Sequence, residues 1–467
     1  MPFVILPTNS ISGGYDITNS LRFNSGSSDY LNKTSFGTAT NRKKFTFSFW
    51  VKKVNNGDKM IFSAGTNSST NVDQIYFRYP SDITQNTFDV LFYESSVTKL
   101  QLRTTQYFRD PSAWYHFVVA IDSTQATASN RAKVYLNGTE ITSFSTATYP
   151  SLNDEFLINS TGAHYLGGNL GASLTFDGYM SEYYFIDGQQ LTPSSFGETD
   201  TDTGIWKPKA YTGSYGTNGF YLQFKNSASL GTDSSGNGNT FTVNNLTSVD
   251  QSTDTPTNNF ATMNSVSSFG TVTFAEGNNQ VNVADNTDNA TSTFMVSSGK
   301  WYWEGKYTVG ASSLAMFGIR PEGMDYNQIN LFNLTGSNQG YYYYANSGNI
   351  RPANTSYGNT FAVNDIIGIA LDLDNNKLYF SKNGTFQNSG VPTSGATGTG
   401  AVSIATSGLT WGFSFTSGGD SDTFQMNFGN PPYTANGYTD GAGKGNFSYS
   451  VPSGYFALCT ANLSLYG

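Results

Sequence analysis

The sequence predicts an all-β protein: two tandem antiparallel β-sandwiches of jelly-roll type with a short N-terminal arm. Three observations predict it. Only 12% of the 467 residues are charged while 15% are aromatic, and 35 Phe with 30 Tyr are too many apolar anchors to leave solvated. Leu, Lys and Glu, the good helix formers, are scarce, whereas Phe, Tyr, Val, Ile and Thr alternate in short runs. The 49 Gly, with Asn, Ser and Asp, separate those runs as turns. A chain of this length has material for two or three domains.

Charge and cysteine use narrow the function classes. A net charge of −9 argues against nucleic acid as the main partner. The basic clusters Arg42-Lys43-Lys44 and Lys52-Lys53 flank a strand-like run and read as solvated strand ends. The single cysteine, Cys459, excludes an intramolecular disulfide framework and any Cys-rich metal site, and reads as a small buried hydrophobe near the last strand. Met1–Pro7 is too short for a signal peptide and lacks a basic start. No stretch approaches the roughly 18 apolar residues of a membrane helix, so membrane insertion is not expected. These features imply synthesis in a cytoplasm and, for work outside a cell, exit by a route other than secretion.

Residues 1–17 read as the arm, with Phe3, Val4, Ile5 and Leu6 as an apolar tip that either anchors to a partner or packs on its own domain. Residues 18–200 read as the first sandwich. Phe45, Phe47, Phe49 and Val51 fall on one face of a strand, and Ile75–Tyr79, Phe88–Tyr93, Tyr115–Ile121 and Lys133–Leu136 follow. Asn137-Gly138 carries the hairpin signal of two residues that accept φ > 0. Residues 201–268 read as a connector that can complete the first sandwich, with strand-like Phe220–Phe224 and Asn239–Val243 around a turn-rich loop at 233–238. The stretch 250–259, rich in Ser, Thr, Asp and Pro, reads as the spacer between domains. Residues 269–467 restart the strand pattern at Lys300–Glu304, Phe317–Arg320, Asp365–Asp374, Lys377–Gly384 and Phe424–Gly429, with a Gly-rich insertion, Ser389–Gly400, expected as a long exposed loop.

Phe45–Val51, Trp114–Asp122, Lys133–Thr139, Tyr165–Gly168 and Phe176–Asp187, in that order, resemble the concanavalin A-like, LamG-type jelly rolls. The hairpin from Ile367-Gly-Ile-Ala-Leu-Asp372 to Lys382-Asn-Gly384, with the runs around it, closely resembles the SPRY sandwich. The whole order, with a connector between the two, is similar to structural proteins of tailed bacteriophages of marine bacteria. That resemblance implies a virion surface protein: a tail fibre, a capsid fibre or a decoration protein. It further implies other virion proteins and further copies of the chain as partners, engaged through the arm, and host-surface glycan as a target. A free lectin-like protein and a glycan hydrolase are the competing classes.

Catalytic signals are weak. Glucanases of the jelly-roll type set carboxylates at alternate positions of one strand, about 5 Å apart when the mechanism is retaining. Glu182 and Asp187, the nearest approach to that pattern along with Asp154-Glu155, fall on opposite faces. Only His116 and His164 could serve as bases, and both read as packed, with no nucleophile elbow to serve. No cofactor is expected. Ca²⁺ is the open metal, with Asp177 and Asp233 as candidate oxygen donors, although an ordinary Asx turn is the simpler account of each. Sugar binding by stacked rings and amides points to Tyr341, Tyr342, Tyr343, Tyr344 and Asn346, alternate rings of the run being expected in the core and in solvent.

Overall fold

The computed structural model describes residues 14–67, 70–81, 85–170, 174–284, 288–310, 314–323, 340–405, 408–417 and 421–467. The anchoring residues Phe3, Val4, Ile5 and Leu6 lie outside them. The protein is almost all β, 43% strand and 6% helix, in antiparallel sheets, as the composition requires. It divides between Thr257 and Asn258 into two compact units. The break falls inside the expected connector, whose strands are shared out between the units.

Unit 1 packs two eight-stranded sheets. Sheet A runs Thr139–Glu140, Ala132–Leu136, Tyr115–Asp122, Lys44–Lys53, Gly178–Asp187, Ser20–Phe23, Gln251–Ser252, with Phe220–Leu222 also on Gly178–Asp187. Sheet B runs Phe144–Thr148, Val97–Thr104, Thr87–Glu94, Asn71–Arg78, Lys59–Asn67, His164–Leu166, Tyr30–Lys33, Thr242–Asn244. Three short strands after residue 200 are therefore sheet members. Period-two alternation sends Phe45, Phe47, Phe49 and Val51 inward, and each is fully buried. They meet Phe62, Phe88, Phe92, Phe117 and Phe185; the Phe88 and Phe117 rings stack at 4.0 Å. Each such side chain contributes roughly 1.5–3 kcal/mol when fully buried.

The other side of sheet A is covered by its own chain. Tyr15 and Ile17 from the arm, and Phe196, Trp206, Tyr211 and Tyr215 from the segment after Asp187, pack against it. This cover corrects the reading of Lys52-Lys53 as a solvated strand end. Lys52 shares the outward side with Ser48 and Trp50, so it is sealed in, and it pairs at 2.8 Å with Asp254, itself fully buried. Lys53 donates to the Asn55 carbonyl at 2.9 Å, and burial pushes its amine down to about 8.

Unit 2 repeats the plan with a seven-stranded sheet C (Met263–Phe269, Asn289–Ser292, Trp411–Ser417, Ala315–Pro321, Tyr341–Tyr344, Asn349–Arg351, Thr355–Ser356). The nine-stranded sheet D is centred on Lys300–Val309 and Ile366–Asp372. Trp301, Trp303, Phe317, Phe413 and Phe424 fill its core. Chain from 430 onward covers the outward side of sheet D, where Phe447, Tyr455 and Cys459 are buried with Tyr302. The sequence did not suggest the seven-residue helix Thr460–Tyr466; Tyr466 stacks on Phe456 at 3.6 Å. The Gly-rich insertion is exposed along much of its length, Val391 included, and carries regular structure as well. It forms a 3₁₀ turn, Pro392–Thr397, tied down by the Tyr455 hydroxyl donating to the Pro392 carbonyl at 3.0 Å.

Candidate functional site

His116 lies on the outward side of sheet A, stacked 4.8 Å from Trp50 and hydrogen-bonded to Ser48 Oγ at 2.8 Å. A Ser–His pair invites a nucleophile–base reading, and the third partner denies it. Trp206 Nε1, which can only donate, reaches His116 Nδ1 at 2.9 Å. The ring proton therefore sits on Nε2 and is donated to Ser48, so the imidazole cannot take the serine proton. Burial pushes His116 down to about 3. The hairpin holds Trp206 in place: Gly138, at φ +83°, has no Cβ to strike the indole, which a Cβ would meet at 2.5 Å. His164 is likewise neutral, accepting at Nε2 from the Asn159 amide (3.1 Å) while Nδ1 donates to the Gly162 carbonyl (2.9 Å).

Glu182 and Asp187 face opposite sides of strand Gly178–Asp187, as the spacing implies. A bulge at Ser181–Tyr184, with Glu182 at φ +49°, turns the glutamate outward. There its Oε2 accepts from the hydroxyls of Tyr15 (2.7 Å), Tyr184 (2.6 Å) and Tyr221 (2.5 Å). Burial raises its pKa, and those hydrogen bonds pull it partly back. Asp187 faces inward and accepts from the Thr40, Asn41 and Asn218 amides and from Asn159 Nδ2 at 2.6–3.1 Å. Among the described residues the groups bonded to these two carboxylates are hydroxyls and amides, and none is a second acid.

The calcium candidates have donors around them. Asp177 accepts from Ser25 N and Oγ, both at 2.6 Å, and forms an ion pair with Lys59. Asp233 accepts from the amides of Tyr221, Ser235 and Asn239 and from Ser235 Oγ at 2.8–2.9 Å, the pattern of a loop-organising Asx turn. Among the described residues no three His, Cys, Asp or Glu side chains are grouped to hold a metal.

The tyrosine run keeps the expected alternation of sides but not the expected exposure of its outward pair. Tyr341 and Tyr343 face the core, Tyr343 fully buried, and the Tyr341 hydroxyl accepts from the Ala405 amide at 3.0 Å. Tyr342 and Tyr344 face outward, yet they are 0% and 8% exposed in a cluster with Met316. Only Asn346 of that set is exposed. Rings enclosed on both sides of a sheet cannot present a face to a sugar, so the run is structural in this arrangement.

Sheet B offers what that run does not. Leu31, Phe92, Leu166 and Val243 turn inward, so Tyr30, Asn32, Tyr93, Tyr165 and Asn244 turn out, and all five are half-buried. The Tyr30 and Tyr165 rings lie 6.2 Å apart, and Asn244 donates to Asn32 at 2.8 Å. Farther along the same side, Asp89 is held by Arg103 and Gln101 beside Tyr76 and Arg78. Alternation in Ile75–Tyr79 and Phe88–Tyr93 is the sequence signal for this row, a weaker one than the unbroken Tyr341–Tyr344 run.

Comparison with known proteins follows the two units. Residues 25–195 match the family described as the concanavalin A-like lectin/glucanases superfamily, and residues 300–429 match the SPRY domain. In composition the chain thus pairs a concanavalin A-like domain with a SPRY domain. Among solved structures it is similar to the SPRY domain of human HERC1, with 14% identity, 35% of this chain and 96% of that chain covered, and a TM-score of 0.28. It is similar to the TRIM65 PSpry domain, with 11% identity, 36% and 88% coverage, and a TM-score of 0.26. It is also similar to the native heptameric SAP-like pentraxin from Limulus polyphemus, with 17% identity, 38% and 80% coverage, and a TM-score of 0.27. No curated protein matches the chain.

Proposed function

We propose that this chain is a non-enzymatic binding protein of a virion surface, of the tail-fibre, capsid-fibre or decoration type. It is anchored through its N-terminal part to other virion proteins, assembles as a homo-oligomer and attaches to host-surface glycan. The observation that carries the binding reading is the outward side of sheet B, where tyrosine rings and amides lie side by side on rigid strands. Rings stack on sugar C–H patches while amides bond hydroxyls. The non-enzymatic part is supported by the His116 tautomer that Trp206 imposes. The virion part is supported by the resemblance to phage structural proteins and by the Asn-, Ser-, Thr- and Gly-rich composition.

Two experiments test it. Gold-labelled antibody to this chain should decorate purified particles, and the purified chain should retain host glycans in multivalent format, since each site binds weakly. A soluble monomer that binds sugar and never sediments with particles would be a free lectin instead. Turnover of host polysaccharide, lost in Glu182→Gln or Asp187→Asn, would make it a hydrolase.

A further inference from the structure

We propose that the outward side of sheet B, at Tyr76, Arg78 and Asp89, binds a carboxylate-bearing saccharide, with the carboxylate seated on Arg78. The proposal rests on the glycan-binding reading above and names the class of sugar. Cross-strand register sets Tyr76 opposite Asp89 and Asp89 opposite Arg103, with Arg78 opposite Thr87. Ile75, Phe77, Phe88, Val90 and Leu102 occupy the core, so this row points away from it.

The row's hydrogen bonding is incomplete in a particular way. Asp89 is fully buried; its Oδ2 accepts from Arg103 Nε at 2.9 Å and Gln101 Nε2 at 3.2 Å, while its Oδ1 has no partner. Arg78 donates from Nη1 to the Tyr76 hydroxyl at 2.9 Å, but its buried Nε has no partner. Among the described residues no carboxylate lies within ion-pair distance of Arg78. Asp58, which accepts from the Tyr79 amide, and Asp89 both act on Arg78 through space, but neither pairs with it, and Asp89 is held by Arg103. Because the Tyr76 oxygen accepts from Arg78, its own proton remains to be given.

A uronic-acid-type sugar fits this donor set. Its carboxylate accepts from the half-buried Arg78 guanidinium, which the Tyr76 hydroxyl, on a ring 3% exposed, orients. The loop after Val97–Thr104 returns beside Thr87 through the Phe108 amide, which donates to the Asn86 carbonyl at 2.8 Å. That loop carries Tyr107, 41% exposed, with Arg109 5.1 Å over its ring, an aromatic surface at the Arg78 end of the strands.

The test uses the full chain and calorimetric titration with oligogalacturonate and its methyl ester. Wild type should bind the acid at least tenfold tighter than the ester, and more weakly as salt rises. Arg78→Gln should abolish that preference, Arg78→Lys should retain only part of it, and Tyr76→Phe should weaken acid binding about threefold with an unchanged melting temperature. Equal binding of acid and ester by wild type, or an intact preference in Arg78→Gln, overturns the site while the glycan reading stands. Should Arg78→Gln not fold, full acid preference in both Arg78→Lys and Tyr76→Phe overturns it. If wild type binds no saccharide in any form, the glycan reading falls and the site falls with it.

Discussion

In unit 1 the buried glutamate on the outward side of the central strand, Glu182, is held by three tyrosine hydroxyls. In unit 2 its counterpart, Glu304 on strand Lys300–Val309, is held by the backbone amides of Ser448 and Tyr449, each at 2.9 Å, and by Asn427 Nδ2 at 3.0 Å. Both carboxylates tie a covering segment to a sheet, and burial raises the pKa of both. The Tyr302 and Tyr433 hydroxyls also reach Glu304, at 3.2 and 3.5 Å, but its closer donors differ in kind from those of Glu182. A hydroxyl rotates and can donate or accept, whereas a backbone N–H is fixed and only donates. The unit 1 clamp tolerates a change of proton inventory; the unit 2 clamp dictates one.

The units differ further in what pH does to them, and the largest expected effect lies there. Both histidines and Asp73 belong to unit 1. Asp73 points into the core, accepts from the Ile158 amide at 2.9 Å, leaves Oδ1 without a partner and is pushed up to about 8 by burial. A raised carboxyl is stabilising below its ordinary value near 3.8 and loses that contribution as pH rises toward 8. Asp73→Asn should therefore stabilise unit 1 at pH 7.5 by on the order of 3–5 kcal/mol, at about 1.4 kcal/mol per pKa unit. Hydrogen exchange resolved by residue should place the gain in residues 14–257; an equal gain in unit 2, or none in unit 1, refutes the account.

The same variant sharpens the acid limb. His116 and His164, held down to about 3 and about 4, contribute stability that is complete above 6.5 and lost as pH falls below it. Asp73 opposes them between roughly pH 4 and 6.5, so the wild-type profile of unit 1 is flattened. Without Asp73, and with Glu182 and Asp89, both raised by burial, still opposing, up to two protons remain uncompensated. The slope should then steepen toward a limit of about 2.7 kcal/mol per pH unit near pH 5. A flat profile in Asp73→Asn would remove the histidines from the explanation.

Next in size is the exchange of carboxylate for amide at the two clamps. Glu304→Gln sets an NH₂ against the Ser448 or the Tyr449 N–H whichever way the amide turns, leaving a buried donor unpaired at a cost of about 2–3 kcal/mol. Glu182→Gln meets hydroxyls that can rotate to accept, and should cost about 1 kcal/mol or less. Thermal unfolding of the two variants compares them directly, and equal losses would dissolve the distinction between the clamps.

Much of the fold was legible because alternation fixes sidedness: Phe45, Phe47, Phe49 and Val51 could only be one face, and Asn137-Gly138 and Asn383-Gly384 could only be turns. What covers a sheet's outward side was not legible. Lys52 alternates with Ser48 and Trp50 as a solvent-facing residue would, and its burial depends on Asp254, some two hundred residues later in the chain. The tyrosine run failed for the same reason: alternation correctly divided Tyr341 and Tyr343 from Tyr342 and Tyr344, but the outward pair is enclosed. Period two identifies faces, while exposure is a tertiary property.

The smallest effect separates the three hydroxyls on Glu182 from one another. Tyr221 is the hub of the cluster: it donates to Glu182, accepts from Gln223 Nε2 at 2.9 Å and lies 2.6 Å from the Tyr15 hydroxyl. Tyr221→Phe strands Gln223 and removes a second contact from Tyr15, which should cost about 1–2 kcal/mol. Tyr15→Phe removes only one of three donors from an oxygen that keeps the other two, and should cost about 0.5 kcal/mol. Tyr15 is half-buried at the start of the described chain, so its loss should be local. The Ile17 amide, bonded to Thr257 Oγ1 at 3.1 Å, should exchange faster while amides of strand Gly178–Asp187 keep their protection. A loss in Tyr15→Phe as large as in Tyr221→Phe, or one spread through that strand, would show that the arm supports the sandwich rather than resting on it.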